Sequence, residues 1–278
     1  MSSVRHQVSR RDFVRASVAT LLAAPMVSRA AEKNPYHGLK FGVHTYSLRN
    51  FPLDKALAMT RELGVRYLSI NPKHLDLKST PEQIAEARRK IEDAGLTLLE
   101  AGVINMTKDI KETSRVFEYA KALGLKTIVC NPSLDSFDIL DKLLKDYEVR
   151  LAIHNHGPEG IYKTPDDVLR AIKDHDPRIG ACVDLGHYER AGVKASDALR
   201  ALKGRLFDIH FKDVNKPEAK GGPVVVGTGI IDYENVFKSL LGLSYPYGVM
   251  LEYEADEKDP LPGMKKSFEF ARSVLAKM

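Results

Sequence analysis

The sequence predicts an α/β protein with a (β/α)8 TIM barrel fold, and three observations support this prediction. Eight short apolar runs rich in β-forming residues follow one another from residue 40 onward. Segments of helical period separate them, so strand and helix alternate about every 30 residues, as in a barrel of roughly 250 residues. No Gly-rich phosphate turn follows the first run, where an open doubly wound sheet would carry one. Eight parallel strands joined by right-handed crossovers therefore close into a barrel.

The eight predicted strands are continuously apolar rather than alternating, which is typical of strands covered by helices. In chain order they are Phe41–His44, Tyr67–Ile70, Leu98–Ala101, Thr127–Cys130, Leu151–His154, Ala181–Asp184, Phe207–His210 and Val249–Glu252.

The predicted helices carry start and stop signals. Thr80 is the expected N-cap of a helix with Pro81 at its first position, and Gly95 follows its last turn. The irregular segment Lys216–Val226 is predicted to be a loop over the mouth of the barrel. No linker interrupts the alternation, so residues 31–278 are predicted to be one domain. The helices with definite predicted bounds are Leu53–Leu63, Pro81–Ala94, Phe137–Lys145, Pro165–Lys173, Ala195–Leu202, Tyr233–Leu241 and Gly263–Lys277.

Residues 1–30 are predicted to be an export signal that precedes the barrel. Arg10 and Arg11 stand before an apolar run from Ala16 to Val27, and small residues follow that run. The paired arginines resemble a twin-arginine signal, which implies export of the folded protein to the periplasm. The apolar run is too short to span a bilayer, so no stable membrane span is expected.

Most of the net positive charge lies in this N-terminal segment. It contains five of the 42 basic residues and one of the 37 acidic residues, which leaves 37 basic against 36 acidic residues in the remainder. A nearly neutral body offers no basic face to a phosphate backbone, so a nucleic-acid partner is not expected. Cys130 and Cys182 lie in apolar runs and are expected to be buried thiols rather than a disulfide.

Polar residues concentrate at the carboxyl ends of the predicted strands, where TIM barrels carry their chemistry. Two positions are open to more than one interpretation: Glu100 is either a site residue or a paired interior carboxylate, and Asp213 either orients Lys212 or caps the following loop. Of Glu252 and Glu254, at the end of the eighth run, only one is expected to point inward. Six of the eight histidines after residue 31 lie at or just beyond these ends, namely His44, His74, His154, His156, His187 and His210.

Two histidines and two carboxylates at these strand ends form a predicted site for one divalent metal ion. They come from strands five to eight, and neighbouring strands would aim them at one point. Two carboxylates and two imidazoles suit manganese, iron, cobalt or zinc better than calcium, and magnesium is the further candidate. The predicted ligands are His154, Asp184, His210 and Glu252; the predicted substrate-binding residues are His187, Lys212, His156 and His44.

The chain also resembles the sugar phosphate isomerase/epimerase family, which has a xylose isomerase-like TIM barrel. The resemblance covers about residues 40–277 and rests on the segments 183–187, 209–213, 227–232 and 251–254, whose letters are VDLGH, IHFKD, GTGIID and LEYE. It implies that Asp184, His210 and Glu252 bind the metal, that His187 contacts substrate, and that a homodimer is a possible assembly.

One departure from the family pattern affects the reaction. The usual fifth-strand motif is Glu-Asn-His, whose glutamate is a metal ligand and a base, whereas this chain has His154-Asn155-His156. An imidazole can ligate a metal and can also move protons near neutral pH. The dehydratase branch of the family, which includes inosose dehydratase, also has histidines at this strand.

These observations predict an enzyme that moves protons next to a carbonyl or hydroxyl of a small carbohydrate or polyol. Glu252 and His154 are the expected catalytic residues, and isomerisation or epimerisation of a sugar is the first expectation. Elimination or dehydration of a keto sugar or keto glycoside is the alternative. A periplasmic sugar-binding barrel without catalytic activity is a third hypothesis, which predicts tight binding without turnover or metal.

Overall fold

The structure, a computed structural model, describes residues 34–278 and confirms the predicted TIM barrel. The eight parallel strands of the barrel are β1 (Lys40–His44), β2 (Tyr67–Ile70), β3 (Thr97–Met106), β4 (Thr127–Pro132), β5 (Arg150–His154), β6 (Ile179–Asp184), β7 (Leu206–Phe211) and β10 (Gly248–Leu251). They close in the order β1-β10-β7-β6-β5-β4-β3-β2. The predicted export signal at 1–30 lies outside the described residues. Within residues 34–278, no helix is long and apolar enough to cross a membrane.

Helices between the strands form the outer layer, and their ends follow the capping signals of the sequence. Thr80 forms a capping box with Gln83, because the Thr80 hydroxyl accepts from the Gln83 N–H and the Gln83 side chain accepts from the Thr80 N–H. The helices are α1 (Leu53–Glu62), α2 (Pro81–Asp93), α3 (Ile110–Leu123), α4 (Phe137–Leu144), α5 (Pro165–Ala171), α6 (Leu185–Arg190), α7 (Ala195–Ala201), α8 (Tyr233–Gly242) and α9 (Leu261–Leu275).

Three elements differ from the sequence prediction and affect the site. β3 continues to Met106, which places Glu100 inside the barrel and Asn105 at the mouth. The short helix α6 begins directly after β6, with Asp184 as its N-cap. The predicted loop Lys216–Val226 contains a short strand, β9 (Pro223–Val224), which pairs antiparallel with β8 (Asp213–Val214). Apolar periodicity did not reveal these features because they are short or continue past the apolar run.

The barrel interior is arranged in layers. Ala152 and Cys182 lie two residues before His154 and Asp184 on their strands, so each pair shares the inward face. Ala152 and Cys182 belong to a small buried apolar cluster in the barrel with Val129. The mouth layer above this cluster is polar.

Candidate metal and substrate site

The structure brings the four predicted metal ligands together. One donor atom from each residue lies within 4.8 Å of the donor atoms of the other three, and all four residues are buried. His210 Nδ1 is 3.1 Å from Glu252 Oε2 and 3.1 Å from His154 Nε2. The four residues are His154, Asp184, His210 and Glu252.

Strand register explains this convergence. Asp184 on β6 pairs with His210 on β7, and His154 ends β5 one strand away. Glu252 directly follows β10, and its N–H donates to the carbonyl oxygen of Phe211. His154 pairs with Cys182 and His210 with Met250, two residues before Asp184 and Glu252, so the four side chains converge because the strands of the closed barrel are tilted.

Backbone contacts hold Asp184 in a defined orientation. The Asn155 amide accepts from the Asp184 N–H at 2.8 Å and donates to the Asp184 carbonyl at 3.0 Å. Asp184 Oδ1 accepts from the His187 N–H at 2.8 Å, which caps helix α6. These contacts leave Asp184 Oδ2 directed toward the other ligands. The structure thus assigns Asn155 a supporting position that strand periodicity did not single out.

Lys212 lies among three carboxylates at the same mouth. Its Nζ is 3.3 Å from Asp184 Oδ2, 2.8 Å from Glu252 Oε2 and 2.6 Å from Glu254 Oε2. The expectation that only one of the two glutamates points inward is wrong: both carboxylates contact Lys212, and residues two apart on an extended chain face the same side.

These contacts keep opposite charges ionised in a buried site. Burial alone would raise the pKa of Glu252, but Lys212 and His210 outweigh burial and hold this pKa well below its usual range. Burial would lower the pKa of Lys212, yet the charges of Asp184, Glu252 and Glu254 raise it well above the ordinary lysine value.

The other predicted substrate-binding histidines lie around this centre. His44 is fully buried, and its Nε2 is 3.9 Å from Glu252 Oε1. Burial lowers the pKa values of His44 and His187 to about 3, so both imidazoles are neutral near pH 7. His156 is exposed, and its ring centroid lies 4.6 Å from that of His187. His74 instead contacts the carbonyl oxygen of Phe51, with 3.1 Å between the two polar atoms.

The donor set fits a divalent metal ion. Among the described residues, buried Asp184 Oδ2 accepts no hydrogen bond of normal geometry, and it faces Lys212 Nζ at 3.3 Å and His154 Nε2 at 3.6 Å. Lys212 is shared among three carboxylates, so a second cation at this oxygen would further stabilise the buried negative charge. Two imidazoles and two carboxylates match zinc, manganese, iron or cobalt.

The opposite side of the mouth carries neutral amides. Asn71, Asn105 and Asn131 follow or end β2, β3 and β4, and they line the same cavity as the candidate metal ligands. This cavity has a volume of about 630 Å³, within the range of small-molecule sites. Amides offer both donors and acceptors, which suits an uncharged polyol.

Comparison with known proteins agrees with this architecture. The sequence profile of the xylose isomerase-like TIM barrel family matches residues 47–274. The chain belongs to this family.

Relatives within the xylose isomerase-like TIM barrels include enzymes of two reaction classes. An inosose dehydratase from Clostridium botulinum is 24% identical over 241 residues, covering 69% of this chain and 78% of the relative. The 3-keto-D-glucoside 4-epimerase YcjR from E. coli has a TM-score of 0.69 and 19% identity, over 84% of this chain and 99% of that structure. The IOLI protein, solved with a binding zinc atom, has a TM-score of 0.70 and 18% identity, over 86% and 99% of the two chains.

Proposed function

We propose that this protein is a metal-dependent lyase that removes water from a keto polyol or keto sugar. The observation that carries the proposal is the chemical asymmetry of the mouth. Its β5 side presents the imidazoles of His154 and His156, whereas Glu252 follows β10. Dehydration needs a base for a carbon-bound proton and an acid for the leaving oxygen, and the Glu252 carboxylate with an imidazole on the β5 side supplies this pair.

The chain's own residues would divide the proton transfers as follows. Glu252, ionised through Lys212 and His210, takes the proton from the carbon next to the substrate carbonyl. The electron pair forms a carbon–carbon double bond conjugated to the carbonyl, and the carbon–oxygen bond of the β-hydroxyl breaks. On the imidazole side, His156 delivers a proton to that oxygen, which leaves as water. No redox partner is required.

The remaining groups bind and orient the substrate. The Lys212 ammonium directs a substrate oxygen toward Glu252. The distal hydroxyls of the substrate hydrogen-bond to the asparagines that line the cavity after β2, β3 and β4, namely Asn71, Asn105 and Asn131. A divalent ion bound by His154, Asp184, His210 and Glu252 would supply Lewis-acid stabilisation of the developing enolate. The inosose dehydratase relationship supports this substrate class, because an inosose is a cyclic keto polyol.

Epimerisation is the second candidate function. The similarity in fold to a 3-keto-D-glucoside 4-epimerase favours it, as does the position of His154 near Glu252, where two groups could exchange a proton with one carbon. The two reactions share the first proton abstraction and differ in the fate of the leaving hydroxyl.

A mass-resolved assay distinguishes these functions. Metal-replete protein is incubated in deuterated water with an inosose and a 3-keto glucoside. A lyase yields a product lighter by one water, with the absorbance of a conjugated enone. Glu252→Gln should abolish turnover, whereas Glu257→Gln at the exposed rim should retain it. Deuterium incorporation without loss of water would establish the epimerase, and tight binding without either change would indicate a sugar-binding barrel.

A further inference from the structure

We propose that Asp208 is a positioning residue, which holds a proton on His210 Nε2 so that His210 Nδ1 is presented to the metal. This inference rests on the proposed metal site but not on the reaction class. It concerns a buried carboxylate that the proposed proton transfers do not use.

The position of Asp208 follows from the strand geometry. Asp208 precedes His210 by two residues on β7, so both side chains point into the barrel and Asp208 lies one layer below the mouth. Both residues are fully buried. Asp208 Oδ2 is 3.5 Å from His210 Nε2.

The two nitrogens of His210 face different surroundings. Nδ1 faces the other ligand atoms, with Glu252 Oε2 and His154 Nε2 each at 3.1 Å and Asp184 Oδ2 at 3.8 Å. A neutral imidazole that binds a metal through Nδ1 must carry its proton on Nε2. Among the described residues, Nε2 has no hydrogen bond of normal geometry, and Asp208 Oδ2 is the carboxylate oxygen within 4 Å of it. Asp208 is therefore the group placed to accept the Nε2 proton when Nδ1 binds a metal.

Neighbouring groups hold Asp208 in place. The Cys182 thiol donates to Asp208 Oδ2 at 3.1 Å. The other oxygen, Asp208 Oδ1, and Glu100 Oε1 both lie over Gly248, where an added Cβ would be 3.1 and 2.9 Å from them. Burial and the charge of Asp208 raise the pKa of Glu100 well above its usual value. Both carboxyl groups are thus buried in the barrel interior, where a carboxylate can support a metal-binding histidine.

A different arrangement uses the same atoms and must be distinguished. The Cys182 thiol, His154 and His210 also form a possible ligand group. This group shares both imidazoles with the group that contains Asp184 and Glu252, so the two groups are alternative ligand sets for one ion. Burial raises the pKa of Cys182 well above its ordinary value, and its S–H already donates to Asp208, which disfavours a thiolate ligand.

The test compares metal affinity in three full-length proteins stripped with a chelator. Zn²⁺ dissociation constants are measured by competition with a chromophoric chelator for wild type, Asp208→Asn and the control Asp232→Asn. The control makes the same substitution at the exposed N-cap of α8, away from the candidate metal ligands. We expect Asp208→Asn to weaken Zn²⁺ binding about 10- to 100-fold, as for other carboxylates that hydrogen-bond a metal-binding histidine, and Asp232→Asn to change it less than about threefold.

A spectroscopic measurement on the wild type keeps the proposal testable if Asp208→Asn does not fold. Nitrogen-15 NMR of histidine-labelled, Zn²⁺-loaded protein should show His210 with a metal on Nδ1 and a slowly exchanging proton on Nε2. A metal-bound Nε2, an unaltered Zn²⁺ affinity in Asp208→Asn, or a thiolate charge-transfer band after Co²⁺ substitution would each overturn the proposal. If the wild type itself binds no Zn²⁺, the proposed metal site fails first.

Discussion

Replacing Asp213 by asparagine should destabilise the barrel strongly, because this carboxylate organises the loop after β9. Asp213 Oδ1 accepts from the N–H groups of Val214 at 2.9 Å and Ile231 at 3.3 Å. Oδ2 accepts from Gly227 at 2.9 Å and Gly229 at 3.0 Å. Asp213 is 1% exposed, so its carboxylate is shielded from bulk water.

The expected magnitude follows from counting the donors. An asparagine in this position has one oxygen and one NH2 group, so whichever way it turns, two backbone N–H groups face another donor. An unsatisfied buried donor costs about 1–3 kcal/mol. Because the two glycine amides are only partly buried, we expect Asp213→Asn to lower the free energy of unfolding by about 2–4 kcal/mol.

Urea unfolding with a matched control tests this value. Asp232→Asn makes the same substitution at the N-cap of α8, where the carboxylate accepts from the Asn235 N–H at 3.1 Å on the surface. Asparagine caps helices as well as aspartate does, so the control should change stability by less than about 0.5 kcal/mol. Equal unfolding midpoints for the two variants would refute the assigned role of Asp213.

Two further predictions concern buried groups. The pKa of His44 is about 3 in the folded state, below the 6.5 of a free histidine, so the unfolded chain takes up the proton first as pH falls. The free energy of unfolding should therefore decline as pH falls from 6.5 toward 5. In metal-free protein, His44→Gln should reduce the slope of this free energy against pH by up to about 1.4 kcal/mol per pH unit. An unchanged slope would contradict the burial argument. A Cβ at Gly180 would overlap the carbonyl oxygen of Arg205, whereas a Cβ at Gly204 would meet open space. In thermal unfolding, Gly180→Ala should be destabilised by about 1–3 kcal/mol or more, and the stability of Gly204→Ala should be nearly unchanged. Similar melting temperatures for both glycine variants would contradict the close packing of β6 against β7.

Much of the site was predictable because a parallel barrel brings all its strand ends to one mouth. A polar residue at the end of an apolar run is therefore expected to lie at the mouth of the barrel. His154, Asp184 and His210 could be identified from sequence position for this reason. Glu252 followed the same rule, although it lies just beyond its strand. The interpretation of Asp213 stayed open in the sequence, and its four backbone contacts show that it holds the following loop.

The amino-acid sequence by itself determined the order of strands and helices and the residue types gathered at the mouth. Periodicity and capping residues act over a few neighbours and are visible along the chain. Only the tertiary structure decided which layer each carboxylate occupies. It placed Glu100 and Asp208 below the mouth and brought Glu254 to Lys212 beside Glu252. Strand length, register and the path of the chain beyond a strand depend on packing across the closed barrel, and no local pattern contains that information.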